Sequence, residues 1–126
     1  MRITGISAVT CNAQMRNWVF VRVDTDVPGL IGWGEATLEW KTRAVTATVE
    51  DLKPFLIGED PARIEHLVRR MTHFSFWPLG SIGLSAVSGI EQALWDIKGK
   101  LAGMPVYQLL GGKSREGALV YAHATG

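Results

Sequence analysis

Between residues 82 and 101 the apolar residues Ile82, Ala86, Ile90, Ala93, Ile97 and Leu101 step by four, four, three, four and four. That spacing keeps one face of an α-helix apolar for about five turns, and a helix with one apolar face must bury it against a second layer. Gly103 and Pro105 terminate it. Ser85, Gly89 and Ala93 lie one turn apart on the same helix. A glycine inside a helix costs roughly 1 kcal/mol relative to alanine, a cost that close approach of another backbone would offset.

The material available for that second layer comes first in the chain. Residues 2 to 11 are rich in Ile, Val and Thr, and Gly5 interrupts their alternation, which suits a strand with a bend or bulge. From 18 to 25, Val19, Val21 and Val23 fall on one face and Phe20, Arg22 and Asp24 on the other, the pattern of a half-buried strand. Asp26, Pro28 and Gly29 supply turn chemistry, and the run from Leu30 to Leu38 reads as a third strand returning beside the second. The expectation is an α+β fold: a three-stranded antiparallel meander followed by a helical bundle.

From Thr42 the period becomes helical. Val45, Val49 and Leu52 share a face, Thr42 can cap the start and Pro54 limits the end. After Gly58, Asp60 as N-cap and Pro61 as first helical residue open a second helix carrying Ile64, Leu67, Val68 and Met71. The segment from His73 to Gly80 is an aromatic loop whose two Phe and one Trp must cover something. Pro105 to Gly112 is a short helical turn with a glycine stop, and Ala118 to Ala122 is again strand-like.

Charge and cysteine content narrow the function classes. Thirteen Lys plus Arg against twelve Asp plus Glu leave a net charge of +1, no field for steering toward a phosphate backbone, so nucleic acid is not an expected partner. Cys11 is the single cysteine and cannot pair within the chain, which fits a reducing cytoplasm. The first fifteen residues lack the apolar core of a signal peptide, and no apolar run reaches the roughly 18 residues of a membrane span.

No catalytic motif in the sequence is complete. Gly112-Lys113-Ser114 resembles the end of a phosphate-binding loop, but Tyr107 stands where the first glycine belongs. Gly32 and Gly34 begin a dinucleotide fingerprint whose third position is Thr37; strand glycines beside a close-packed neighbour explain them better. Asp24 and Asp26 lack the remaining ligands of a calcium loop and read as hairpin-turn acids. His66 and His73, seven apart, are two groups where a metal needs three or four. Glu91, Asp96, Lys98 and Lys100 spread around the helix axis, with Asp96 and Lys100 as an ordinary i,i+4 pair. No complete active site is present, and neither a catalytic nor a metal-ligating residue is assigned.

The run from Ala86 to Lys100 (AVSGIEQALWDIKGK), followed by Pro105 to Gly112 (PVYQLLGG), resembles the N-terminal signature of the mandelate racemase and muconate lactonizing enzyme family of the enolase superfamily. Gly32-Trp33-Gly34-Glu35 and Leu56 to Pro61 occupy the order and spacing of similar segments there, so the resemblance covers essentially the whole chain. Within the family it is closest to galactonate dehydratase and related sugar-acid dehydratases, with one departure at Trp77-Pro78-Leu79-Gly80-Ser81. The resemblance implies that residues 1–117 form a capping domain and that 118–126 begin the first strand of a catalytic (β/α) barrel that this chain lacks. It implies a lyase that removes a proton alpha to a carboxylate and expels a beta hydroxyl, with Mg2+ bound by the barrel. This chain alone would then be inactive, its partners being its own barrel, a small sugar-acid substrate and further copies of itself in a homo-oligomer.

In such enzymes two cap loops shape specificity, and here they correspond to Cys11 through Asn17 and Ala36 through Arg43. Arg16 and Asn17 would donate to a carboxylate or hydroxyl, Trp18 and Trp40 would form apolar walls, and Lys41 or Arg43 would attract an anionic acid. The competing reading makes Arg16, Lys41 and Arg43 solvated charges and both tryptophans core. Two further function classes stay open: a racemase, epimerase or cycloisomerase of the same superfamily, and a non-catalytic stand-alone module.

Overall fold

The computed structural model describes residues 1–122. The expected meander is present: β1 (Ile3–Ala13), β2 (Arg16–Thr25) and β3 (Ile31–Glu35) form one antiparallel sheet in the order β1-β2-β3. Gly5 marks a register shift between Ile3 and Gly5, the bulge its position suggested. Alternation along β2 turns Val19, Val21 and Val23 inward, all fully buried, while the outer face carries the Trp18–Phe20 edge-to-face pair and the Arg22–Asp24 ion pair.

Four helices follow among the described residues: α1 (Thr42–Leu52), continued by a 3-10 turn at Lys53–Phe55, then α2 (Ile64–His73), α3 (Gly80–Ala102) and the single-turn α4 (Val106–Leu109). Their apolar faces close one core with the inner face of the sheet, built around Ile6, Leu52, Leu56, Leu67, Ile90 and Leu94. Among the described residues no buried side chain is polar or charged. The helix α3 is the longest element and ends as expected: Gly103 takes φ 64°, and the Met104 N–H donates to the Gly99 carbonyl at 3.1 Å in a Schellman closure.

The contact between β3 and α3 is closer than ordinary side chains allow. A Cβ placed on Gly32 would lie 2.0 Å from the Ala93 carbonyl oxygen, and one on Gly34 would lie 2.0 Å from the Gly89 carbonyl oxygen. On the helix side, a Cβ on Gly89 would meet Ala36 Cβ at 2.7 Å and Val21 Cγ2 at 2.9 Å. Glycines from both layers therefore let backbone rest on backbone, which accounts for the helix-breaking residue in mid-helix.

The same approach closes the β3 edge of the sheet. Asp96 accepts the Trp33 N–H at 2.9 Å, Gln92 accepts the Glu35 N–H at 3.1 Å and donates to the Glu35 carbonyl at 3.2 Å, and Lys100 Nζ donates to the Ile31 carbonyl at 2.8 Å. Side chains of α3 thus supply the groups that a fourth strand would supply, and the edge offers no row of unpaired amides to another chain. The Asp96–Lys100 pair, 2.6 Å long, is more than surface decoration because both members also hold β3.

Three expectations are corrected. Thr42 does not cap α1: it is the first helical residue, Lys41 stands at the N-cap and no side chain caps that end. The second helix starts at Ile64 rather than Pro61. Asp60 is instead satisfied in a turn of its own, accepting the Ala62 N–H at 3.0 Å through Oδ1 and the Arg63 N–H at 3.1 Å through its carbonyl. Of the strand expected at 118–126, residues 118–122 are not in a strand and 123–126 lie outside the described residues. The aromatic loop splits: Phe74 packs on Phe55 with ring centroids 4.8 Å apart, whereas Phe76 and Trp77 stand exposed. No helix among the described residues is long and apolar enough to cross a membrane.

The glycine contact gives a direct test. Gly34→Ala should destabilise the chain by more than about 3 kcal/mol, the upper range for overpacking, since the obstructing atom is backbone and cannot swing away. Gly117→Ala, whose Cβ meets nothing within 4 Å, should change stability by less than about 0.5 kcal/mol. Urea unfolding of both variants measures the difference.

Candidate functional site

The two loops singled out from sequence meet at one end of the sheet. The hairpin joining β1 to β2 has a two-residue turn, Gln14-Met15, between the paired residues Ala13 and Arg16. Beyond Glu35 the chain still follows β2: the Ala36 N–H donates to the Val19 carbonyl at 2.8 Å, and the Val19 N–H donates to Thr37 Oγ1 at 3.0 Å. This pairing delivers residues 38–42 beside the hairpin tip.

Both turns are unusual in the same way. Gln14 has φ 62°, at the first central position of a two-residue hairpin where glycine is the usual occupant, and the Asn12 Oδ1 accepts its N–H at 2.9 Å. Trp40 has φ 64°, at the third position of a turn closed by the Lys41 N–H on the Leu38 carbonyl at 3.1 Å, again a glycine position. Among the described residues these two are the non-glycine residues with positive φ. Such conformations cost of order 1–3 kcal/mol each and gather at functional sites.

Between the turns lies a recess of about 270 Å³ lined by Gln14, Met15, Arg16, Asn17, Glu39, Trp40 and Thr42. Arg16 Nη1 and Glu39 Oε1 form an ion pair across it at 2.5 Å, with both side chains roughly half exposed. Exposed pairs of this kind add at most about 1 kcal/mol, so the pair orients two groups more than it stabilises the fold. The Trp40 ring is 91% exposed.

Of the residues expected at a site, Arg16, Asn17 and Trp40 are brought together here. Trp18 points to the outer face of the sheet against Phe20, and Lys41 borders a separate shallow depression with Leu38, Leu79 and Ile82. Arg43, on the first turn of α1, is exposed and is not among the lining residues. Neither tryptophan is core: Trp18 is about half exposed and Trp40 almost wholly so. Gln14, Met15, Glu39 and Thr42 were not singled out from sequence. Only Glu39 carried a signal, an acid in one loop facing a base in the other. Among the described residues no group of three or more His, Cys, Asp or Glu converges to hold a metal ion. The donor set here is one guanidinium, two amides, a hydroxyl and one carboxylate already engaged, which suits a polar organic ligand and not a divalent cation.

Residues 3–111 match the family model for the mandelate racemase / muconate lactonizing enzyme N-terminal domain. The chain is 51% identical over 121 residues to a D-galactonate dehydratase of Verminephrobacter eiseniae, covering 96% of this chain and 31% of that protein. It is 44% identical to a D-galactonate dehydratase of Pectobacterium atrosepticum, covering 96% and 31%. Among solved structures, an enolase from Pantoea ananatis with bound D-gluconate and Mg superposes with a TM-score of 0.87 at 44% identity, over 90% of this chain and 28% of that one. An enolase from Agrobacterium radiobacter with bound Na and L-malate gives 0.84 at 40% identity, over 91% and 29%. The chain thus spans about 30% of the length of the relatives it matches. From the meander, the glycine-laid helix and this match over nearly its whole length, the chain belongs to the mandelate racemase / muconate lactonizing enzyme family, as its N-terminal domain.

Proposed function

We propose that this chain is the substrate-capping and specificity domain of an acid-sugar dehydratase of the galactonate type. The observation that carries the reading is the recess between two strained turns. The Trp40 ring gains almost no burial from the fold, yet its backbone sits in a region costly for a bulky residue. A side chain held so at the rim of a recess, beside the donors of Arg16 and Asn17, is what a ligand-facing wall requires. The names of the relatives support the dehydratase assignment over racemisation or cycloisomerisation.

The roles follow from the chemistry of each group. Arg16 and Asn17 donate to oxygen atoms of a sugar acid, Trp40 covers its carbon skeleton and excludes water, and Lys41, set to one side, contributes its charge to the approach of an anion. Trp18 has its role in packing the outer sheet face with Phe20. The Mg named with the Pantoea protein finds no matching donor set among these residues, so metal binding, proton abstraction and loss of the hydroxyl belong to the greater length found in the relatives. Residues 1–117 form the cap and residues from 118 lead toward that catalytic part; the assembled enzyme is cytoplasmic and homo-oligomeric.

Kinetics test the recess. In the full-length enzyme, Arg16→Ala and Trp40→Ala should each raise KM for the acid about tenfold with metal affinity unchanged; unchanged KM in both would remove the specificity role. Trp40→Gly should separate strain from function. It should stabilise the chain by about 1 kcal/mol in urea unfolding while raising KM, because only the ligand uses the ring. The stand-alone reading has its own check. Phe76 is 91% exposed and Trp77 75%, so the 126-residue chain by itself should associate on size-exclusion chromatography. A clean monomer would favour a free-standing module.

A further inference from the structure

We propose that Glu39 sets which end group the recess accepts: it makes the site read a terminal hydroxyl and reject a terminal carboxylate, so that the preferred substrates are aldonates and not aldarates. The inference rests on the recess being a substrate site and concerns the end of the substrate remote from the reacting carbon, since no metal-binding set lies nearby to engage the reacting carboxylate.

The argument is one of donors and acceptors. Arg16 is donor-only, and Glu39, when ionised, is acceptor-only. Held together at 2.5 Å, they leave the recess with one cation and one anion among its lining residues, the rest being uncharged. A primary alcohol can donate to Glu39 and accept from Arg16 or from the amides of Asn17 and Gln14, satisfying both partners at once. A carboxylate can only accept. To reach Arg16 it must compete with a carboxylate already there, and it would place two like charges within a few ångströms. The pair is half exposed, so water softens this repulsion without removing it. Neutralised by Glu39, Arg16 becomes a hydroxyl donor; released from Glu39, it becomes a carboxylate receptor of the ordinary forked kind.

The test compares D-galactonate with galactarate, which differ only in the terminal group, by titration calorimetry on the full-length enzyme carrying this chain. Glu39→Gln keeps the shape and the hydrogen-bonding length while removing the charge. It should shift the ratio of affinities toward galactarate by about tenfold, equivalent to about 1.4 kcal/mol. Adding Arg16→Ala should abolish the shift, an effect that a purely structural role for Glu39 would not produce. Glu39→Asp, which retains the charge, should keep the wild-type order. A ratio within about twofold of wild type in Glu39→Gln, with Arg16→Ala alone still weakening binding, would overturn this inference and leave the recess as a substrate site. If neither acid binds differently in any of these variants, the recess reading falls with it.

Discussion

The seating of β3 on α3 governs the whole domain. Two carbonyl oxygens of the helix, those of Gly89 and Ala93, occupy the space where side chains of residues 34 and 32 would otherwise stand. Once the layers are this close, the helix side chains Gln92, Asp96 and Lys100 reach around the edge of β3 and satisfy its outward amides and carbonyls. Sheet width, helix position and core thickness follow from this contact. The pairing of Ala36 and Thr37 with Val19 extends the same strand line, and it carries the second loop to the hairpin tip where the recess forms.

Much of the architecture could be read from residue order because the signals were local and periodic. The spacing from Ile82 to Leu101 specified a long amphipathic helix, and Gly5, Val19, Val21 and Val23 specified a bulged and then a half-buried strand. The cost of Gly89 in mid-helix announced a backbone contact without naming its partner; Gly32 and Gly34 are that partner. What failed were cap positions. Thr42 and Asp60 are residue types that serve either a cap or a turn, and the choice is made by neighbouring backbone: Trp40 in a left-handed conformation ahead of α1, and the turn that Asp60 closes on itself.

The site was less legible than the fold. Arg16, Asn17 and Trp40, which family resemblance points to, do converge, whereas Trp18 and Lys41, one residue further along each loop, turn elsewhere. Trp18 stands on the outer face of β2 against Phe20, and Lys41 is already the N-cap of α1. The two positive φ angles were invisible because neither Gln14 nor Trp40 is a residue type that advertises them. Glu39, a single acid in a loop, has meaning only once its partner is known to sit 2.5 Å away.

The way β3 is closed has a bearing on the order in which the domain can form during synthesis. Its outer hydrogen-bonding groups wait for side chains 57 to 69 residues further along the chain. A ribosome has released the three strands long before it releases Lys100, and through that interval β3 lacks the side chains that close its edge. Non-local closure of this kind slows folding and leaves strand edges accessible to other chains. The edge of β3 is therefore satisfied only once α3 has been made.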